Sequence, residues 1–377
     1  MKTREGARLV LFSFFSLNTC ITPVYVVYLM QSGYSASQIS ILHILKETVA
    51  LTLEIPTGIV ADLFTYKYCL TLSSLFFVLA MLGFVWIDNG VIIGLAFICW
   101  GVALSLTSGT EESYLYKLSR SREDYLNTTV QYSLVKKVGW FITKGSGPLI
   151  YALSPLACMF TSFLLAVAAQ IAAFLLPLEP RVQTGRSQSR PIIAFRRQDV
   201  FHLLPYAFLS CAILDVMIYQ QTKLIQDGLK IDSMGGVFII FTLASILGGQ
   251  LYKNVRSMDY SQLLLISCIT MAITLSVMNL RIPLLLLVGI MSLQSLIYGL
   301  SRVANSQHIN QIYESRAVAS SFSVQSFLTS VLKIVFLAAF GLIVDYDSLD
   351  HAFLILMIPC LISVGIILLG KNSTKEC

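Results

Sequence analysis

Residues 39–67 read ISILHILKETVALTLEIPTGIVADLFTYK, a mostly apolar run that ends in a polar segment. A helix of ~20 apolar residues crosses a hydrocarbon core of ~30 Å, so residues 39–61 are long enough to span a membrane. Lys46, Glu47 and Glu54 nevertheless lie within the run. Because charged groups at membrane depth are costly unless they face a bundle interior or a wet cavity, the stretch predicts a membrane helix that borders something polar.

Apolar runs of similar length recur along the whole chain. Hydrophobic residues make up 56% of the 377 residues and charged residues 12%, whereas a soluble domain has about 25% charged residues. The first run has no small-residue cleavage site after its basic start, so we predict an uncleaved first helix. The twelve runs lie at residues 9–30, 39–61, 68–87, 91–113, 129–152, 154–177, 200–222, 234–252, 260–280, 282–304, 319–343 and 350–370.

One long polar break, residues 178–200, is rich in Arg, Ser, Gln and Pro and divides these runs into six and six. Such a composition is typical of a linker. We therefore predict an all-α integral membrane protein with twelve transmembrane helices in two six-helix bundles. The N-terminal bundle covers residues 1–177, the cytoplasmic linker 178–199 and the C-terminal bundle 200–377.

The loop charges predict the orientation of the chain. Loops on one side, counted with both termini, hold 17 of the 26 Lys and Arg residues, and loops on the other side hold 3. Basic residues accumulate on the cytoplasmic side of membrane proteins. We therefore predict a multi-pass protein of the bacterial plasma membrane, the cytoplasmic membrane, with both termini in the cytoplasm.

Several kinds of site are not expected. The eight Cys residues lie almost all inside apolar runs, with no CxxC pair and no ligand-like spacing to the four His residues. This pattern favours neither a disulfide framework nor a zinc site. The sequence also has no nucleotide-binding loop and no catalytic constellation. We expect no enzyme activity, no cofactor, no metal and no nucleic-acid partner.

The charged residues inside the runs predict a polar cavity. Counted along their helices, five of them from four runs lie roughly 10–15 Å below the predicted outer face, a layer made of Lys46, Glu47, Lys144, Asp215 and Lys333. The alternative is that these groups only neutralise each other in ion pairs that fix the helix packing. The candidate cavity residues are Asn18, Thr22, Tyr25, Lys46, Glu47, Lys136, Lys137, Lys144, Asp215, Tyr219, Gln220, Arg302 and Lys333.

Two helical stripes add detail to this cavity. Glu47 and Glu54 are seven residues apart, as are Lys137 and Lys144, so each pair lies on one face of its helix. For Glu47 we expect an ion pair with Lys333 or, alternatively, with Lys144. Apart from Asp350, at the first position of the last run, the runs contain six basic and five acidic groups, which favours an anionic or zwitterionic ligand.

Three short motifs carry a resemblance to a known family. The segment GIVADLFTYK (58–67) resembles the major facilitator superfamily signature G-x-L-A-D-R-x-G-R-K, with matches at Gly58, Ala61, Asp62 and Lys67. The segment SGTEESYLY (108–116) is similar to the S-G-x-x-E-A-L-L-Y element of a bacterial, exporter-like branch. The segment GSGPLIYA (145–152) partly resembles the G-P-x-x-G-G antiporter element, with matches at Gly147 and Pro148.

This resemblance implies the major facilitator fold, with two pseudo-symmetric bundles that rock around a central site. It implies a secondary active transporter of a small organic solute, and the motifs favour proton-coupled efflux by antiport. The expected partners are a small-molecule substrate, protons and the lipid bilayer, and a monomer is expected. The alternatives are a proton-coupled importer of a small anionic or zwitterionic nutrient and a non-transporting receptor or assembly factor.

Specific residues are expected to serve coupling and gating. Because low-dielectric surroundings disfavour the charged form of a carboxylate, the buried acidic residues suit proton binding. The candidate proton-coupling residues are Glu47, Glu54 and Asp215. The residues on the three motifs are expected to act in gating, namely Gly58, Asp62, Lys67, Glu111, Glu112, Gly147 and Pro148.

Overall fold

The structure, a computed structural model, has helices as its only regular secondary structure among the residues that it describes, which are 3–63, 65–119, 121–178, 197–312 and 315–373. Most of the predicted linker, residues 179–196, lies outside this set. The helices are α1 (Thr3–Phe15), α2 (Tyr25–Gln31), α3 (Ala36–Leu63), α4 (Tyr66–Gly83), α5 (Gly90–Thr107), α6 (Thr110–Leu118), α7 (Arg122–Leu153), α8 (Pro155–Leu175), α9 (Arg197–Gln226), α10 (Met234–Val255), α11 (Tyr260–Met278), α12 (Leu284–Ile312), α13 (Ser315–Tyr346), α14 (Leu349–Ile355) and α15 (Met357–Ser373).

The apolar runs of the sequence correspond to these helices. Among the described residues, nine helical segments are long and apolar enough to cross a membrane, and they coincide with nine of the twelve predicted spans. The other three predicted spans correspond to α1 with α2, to α3 and to α7. These are the spans that contain a helix break or several charged residues, and all three belong to the first half of the chain.

The first span departs from the continuous helix that the sequence predicted. It consists of α1 and α2, and the chain between them is not regular helix. Leu17 has a φ of 55°, in the left-handed region, and Pro23 has no N–H to donate to a helical ladder. Polar contacts satisfy the break, since the Ile21 N–H donates to Ser162 Oγ at 3.0 Å. An irregular backbone at membrane depth requires such partners within the protein.

The chain forms two compact units. Unit 1 comprises residues 1–33, 41–187 and 231–235, and unit 2 comprises residues 34–40, 188–230 and 236–377. In unit 1, α4 packs against α5 and α8, and α1 packs against α7 and α8. In unit 2, α9 is the central helix and packs against α12, α13 and α15. The most apolar window of α9 is 72% buried, the highest share among the nine apolar segments, so its side chains lie in the interior of unit 2.

Small residues allow the helices of unit 2 to approach closely. A Cβ atom at Gly299 of α12 would lie 1.9 Å from the Ser245 carbonyl oxygen of α10, and one at Gly248 of α10 would lie 2.0 Å from the Leu296 carbonyl oxygen. Close backbone approach through small residues is a main source of helix association in membranes. The α10–α12 contact therefore depends on glycine at both positions.

Candidate functional site

An ion pair joins α6 and α7 in unit 1. Lys136 Nζ lies 2.7 Å from Glu111 Oε2 and 2.9 Å from Oε1. Ser16 Oγ donates a hydrogen bond to Glu111 Oε1 at 3.0 Å. The ring of the buried Tyr132 lies one helical turn before Lys136, with its centroid 5.9 Å from Nζ. The sequence placed Glu111 in the gate and Lys136 in the cavity, and the structure brings the two residues together.

Local structure explains why Glu111 points into unit 1. Gly109 has a φ of 71°, which a residue without a Cβ adopts readily, and it separates α6 from α5. Glu111 thereby lies in the first turn of α6, where the helix dipole stabilises a carboxylate. The position of α6 is fixed by Tyr114, which is 1% exposed and donates a hydrogen bond to the Pro177 carbonyl at 2.8 Å.

A second ion pair lies within α3. Lys46 Nζ is 3.2 Å from Glu47 Oε1, and the same ammonium group lies 5.1 Å from the centroid of the Trp100 ring. A Cβ atom at Gly101 would lie 2.5 Å from the Lys46 carbonyl oxygen, so α3 and α5 are in backbone contact at this level. Glu47 thus has an ion-pair partner next to it in the sequence, which the sequence analysis did not consider.

An aromatic cluster packs around Trp100. Tyr25 and Phe97 both contact the Trp100 ring, with ring centroids 5.9 and 5.8 Å away. The Tyr25 hydroxyl lies 2.9 Å from Nε2 of His43, which is 1% exposed. Tyr25 was expected to line the cavity, and the structure shows its hydroxyl in contact with a buried histidine. The sequence analysis did not single out His43, although a histidine inside an apolar run could have drawn attention to it.

The polar residues Asn18 and Thr22 of the first span form hydrogen bonds at the break between α1 and α2. Asn18 Nδ2 donates a hydrogen bond to the Phe14 carbonyl, and Thr22 Oγ1 lies 2.8 Å from Thr19 Oγ1. The Asn18 contact reaches back to the last turn of α1, and the Thr22 contact lies within the segment between α1 and α2. The Asn18 amide thereby replaces one of the backbone hydrogen bonds that a continuous helix would provide.

In unit 2, Asp215 of α9 is fully buried. Its side chain accepts a hydrogen bond from Cys211 Sγ at 3.7 Å, and Lys333 of α13 is 9% exposed. One turn further, the Tyr219 hydroxyl donates to the Ala36 carbonyl at 2.8 Å and lies 2.8 Å from Ser40 Oγ. The predicted residues of α9 and α13 therefore occupy the interior of unit 2.

The first turn of α3 belongs to unit 2. The Ala36 N–H donates to Asp345 Oδ1 at 2.8 Å, and the Ser37 N–H donates to Asp345 Oδ2 at 3.0 Å. These groups are among the N–H donors that a helix leaves without a partner in its first turn. A carboxylate in this position also interacts favourably with the helix dipole.

The most buried charged side chain that the sequence analysis missed is Lys223 of α9. Lys223 Nζ lies 2.8 Å from Asp227 Oδ2 and 2.7 Å from Asp350 Oδ1, and its side chain is 2% exposed. We call these three residues the Lys223 cluster. Lys223 lies just beyond the predicted span 200–222, whereas α9 continues to Gln226.

The remaining predicted residues differ in exposure. Gln220 is 7% exposed, Glu54 is half-buried, and Arg302 is exposed on α12. Gly58 and Asp62 lie in the last two turns of α3, but their side chains are outside the described set. Of the other predicted gate residues, Lys67 is half-buried, Glu112 is exposed and Pro148 is buried.

Gly147, the glycine of the antiporter-like element, is a contact point between α7 and the break in the first span. A Cβ atom at Gly147 would lie 2.0 Å from the Cys20 carbonyl oxygen and 2.9 Å from its carbonyl carbon. Both atoms belong to backbone, which cannot rotate away as a flexible side chain could. Any side chain at this position would push α7 away from the first span.

Gly147→Ala is therefore expected to destabilise the protein by about 1–3 kcal/mol, the usual cost of overpacking. Gly94→Ala is the matched control, because Gly94 also lies in a helix of unit 1 and a Cβ there meets nothing within 4 Å. The measurement is the thermal unfolding midpoint of each purified variant in detergent. Equal midpoints for the two variants would show that the contact with Cys20 does not constrain α7.

Comparison with solved structures identifies the fold. The crystal structure of the nucleoside transporter NupG matches with a TM-score of 0.75 at 12% identity, covering 100% of both chains. The chain has the major facilitator fold. A bacterial homologue of the human lysosomal transporter Spinster, in an inward-facing and unoccupied conformation, matches with a TM-score of 0.77 at 12% identity over 100% of this chain and 98% of the other. A bacterial metal transporter matches with a TM-score of 0.71 at 13% identity over 98% of each chain.

The major facilitator fold confirms the predicted architecture of twelve membrane helices in two six-helix bundles. At 12–13% identity, these similarities establish the fold and not the substrate. The similar proteins are transporters, in agreement with the expectation of a protein that is not an enzyme.

One curated relative has a detectable sequence match. The uncharacterized MFS-type transporter YxaM of Bacillus subtilis (strain 168) is 31% identical over 98 residues, which are 26% of this chain and 25% of YxaM. The match thus covers about a quarter of the relative's length. No family model matches the chain.

Proposed function

We propose that this protein is a secondary active transporter that moves a small organic solute across the bacterial plasma membrane by alternating access. The observation that carries the proposal is a fully buried carboxylate, Asp215, in the central helix of unit 2. Removing a carboxylate from water costs several kcal/mol, a cost that an apolar side chain at the same position would not carry. In membrane proteins such groups mark substrate, ion or proton pathways.

Protons are the proposed coupling ion. Glu47 and Glu54 on α3 and Asp215 on α9 are the proposed proton carriers, because each lies within a predicted membrane span. The side chain of Glu47 is 15% exposed, and Glu54 is half-buried. A carboxylate in such surroundings can bind and release a proton when its access to water changes.

Efflux by antiport is the proposed direction. Its support is the resemblance of the SGTEESYLY segment to the exporter-like branch and of GSGPLIYA to the antiporter element. Both termini are proposed to be cytoplasmic, because 17 of the 26 basic residues lie on that side and 3 on the other. Residues on the motifs, among them Gly58, Asp62, Glu111 and Gly147, are proposed to act in gating. The protein is proposed to work as a monomer.

Import of a small anionic or zwitterionic nutrient is the second candidate function. Its support is the excess of basic side chains inside the predicted spans, six against five acidic ones when Asp350, at the first position of the last span, is left out. This excess favours a solute with negative charge but does not determine the direction of movement.

The proposal can be tested in everted membrane vesicles whose interior is acidified. Candidate solutes are first ranked by the thermal stabilisation they give the purified protein, because a ligand that binds only the folded state raises its stability. A proton-driven exporter is expected to concentrate the stabilising solute inside these vesicles and to dissipate the pH gradient as it does so. Solute uptake that is unaffected by collapsing the gradient would contradict proton coupling, and no uptake of any stabilising solute would contradict transport.

A further inference from the structure

Helix α7 presents three different faces along its membrane part. One face is buried against the first span and includes Thr143 and Gly147. A second face is exposed and apolar, with Leu134, Val138, Ile142 and Leu149 each 50–57% exposed. A third face carries Ser133, Lys137, Trp140 and Lys144, which follow one another at helical spacing. We call this third face the Lys144 face.

We expect the Lys144 face to meet water rather than lipid. The apolar second face is suited to the hydrocarbon, whereas lysine side chains at membrane depth face a bundle interior or a water-filled cavity. Lysine near a helix end can also reach the interface by extending toward that end. The nearer end of α7 is Leu153, but the Lys144 side chain extends in the opposite direction. Its Nζ lies 3.6 Å from the centroid of the Trp140 ring, one turn closer to the middle of the helix.

The two lysines of this face have no counter-charge in the part of the chain that the structure describes. No carboxylate there lies within 4.0 Å of the ammonium group of Lys137 or Lys144, whereas Lys46, Lys136 and Lys223 all have such a partner. The Lys144 ammonium lies instead over the Trp140 ring, where it makes a cation–π contact. The face therefore combines uncompensated positive charge with a large aromatic ring, which is itself 45% exposed.

We propose that the Lys144 face binds a small organic anion that carries a planar aromatic ring, with its carboxylate on Lys144 and its ring against Trp140. This inference rests on the proposed transport function and names the substrate class for it. A bound carboxylate forms a charge-assisted hydrogen bond with the ammonium, and the ring replaces the cation over Trp140 by stacking. Lys137 lies two turns away, about 10 Å along the helix, so it attracts the anion without sharing its carboxylate.

The test uses three probes on the purified full-length protein in detergent. Benzoate has both the charge and the ring, benzamide has the ring without the charge, and cyclohexanecarboxylate has the charge without an aromatic ring. Binding is followed by thermal stabilisation and by quenching of tryptophan fluorescence. Benzoate is expected to bind more tightly than either of the other two probes, because only benzoate satisfies both Lys144 and Trp140.

Variants separate the contribution of each side chain. Lys144→Gln is expected to weaken benzoate binding roughly tenfold or more, because it removes a hydrogen bond between charged groups. Lys144→Arg retains the charge and should restore binding, which guards against a folding defect. Trp140→Leu should bring benzoate binding down to the level of cyclohexanecarboxylate. The control is Lys230→Gln, at an exposed lysine of unit 2, which should bind benzoate like the unchanged protein.

Two outcomes would overturn the inference. One is equal binding of benzoate and benzamide by the unchanged protein, and the other is unchanged benzoate binding in Lys144→Gln. Since these measurements need no gradient and no vesicle, their result is independent of transport. A protein that binds benzoate in this way and moves no solute would overturn the proposed function alone, and a transporter indifferent to Lys144 would overturn only this inference.

Discussion

Glu47→Gln is expected to abolish solute accumulation driven by a proton gradient, and Glu54→Gln and Asp215→Asn are expected to do the same. Each substitution keeps the size and polarity of the side chain but removes the group that takes up and releases a proton. Asp215 is fully buried, and the Glu47 side chain is 15% exposed, so neither carboxylate is freely accessible to bulk water in this structure. The measurement is gradient-driven accumulation of a stabilising solute in proteoliposomes.

Exchange of labelled for unlabelled solute at equal pH distinguishes lost coupling from lost folding. Exchange requires solute binding and alternating access but no net proton movement. It should therefore persist in every variant whose carboxylate binds the proton without contacting the solute. Glu123→Gln provides the control, because Glu123 is an exposed carboxylate in the first turn of α7. Full accumulation with an unchanged pH dependence in all three variants would exclude these carboxylates as proton carriers.

The sequence predicted the membrane helices well because their length and apolarity are local properties. The predicted span 154–177 matches α8 (Pro155–Leu175), where Ser154 caps the helix by accepting from the Ala157 N–H at 3.3 Å and proline occupies the first position. The first span was different. Its break is stabilised by Ser162, which is 141 residues from Ile21, and no local pattern contains that contact.

The sequence predicted which charged residues belong to the candidate site, but it did not predict which of them form ion pairs with each other. The sequence identified Glu111 and Lys136 as separate members of a gate and a cavity, and only the packing of α6 on α7 brings them to 2.7 Å. Lys46 and Glu47 were both expected in the cavity, yet their pairing depends on side-chain conformations that the sequence does not specify. The side of α7 that carries Lys144 became interpretable once the exposed apolar face of the helix was known, because lysines at membrane depth face a bundle interior or a water-filled cavity and not lipid.

The Lys223 cluster illustrates how a long-range contact changes the meaning of a residue. Asp227 follows Lys223 by four residues, a spacing that brings side chains together on a helix and could have been noticed. Asp350 lies 127 residues further along the chain and is the second residue of α14. With both carboxylates in place, Lys223 holds the end of α9 to the beginning of α14 within unit 2, a role that a loop base would not have.

Lys223→Met is expected to destabilise the protein strongly. The side chain of Lys223 is 2% exposed, and those of Asp227 and Asp350 are 22% and 27% exposed. Removing one partner of a buried ion pair leaves charge uncompensated and costs roughly 3–5 kcal/mol, and partial access of water to the two carboxylates brings the cost toward the lower end. Thermal unfolding of the purified protein in detergent measures the effect, with Lys230→Met as the control at an exposed lysine.

Neutralising the carboxylates as well provides the sharper measurement. If the cost arises from two carboxylates left without a cation, Asp227→Asn and Asp350→Asn introduced into Lys223→Met should recover part of the lost stability. Each asparagine is nearly isosteric with aspartate and carries no charge, so the residual loss would report the missing packing of the lysine stem. Contacting residues in one network are expected to be non-additive in this way. A triple variant that is no more stable than Lys223→Met would show that Lys223 contributes through its packing and not through its two ion pairs.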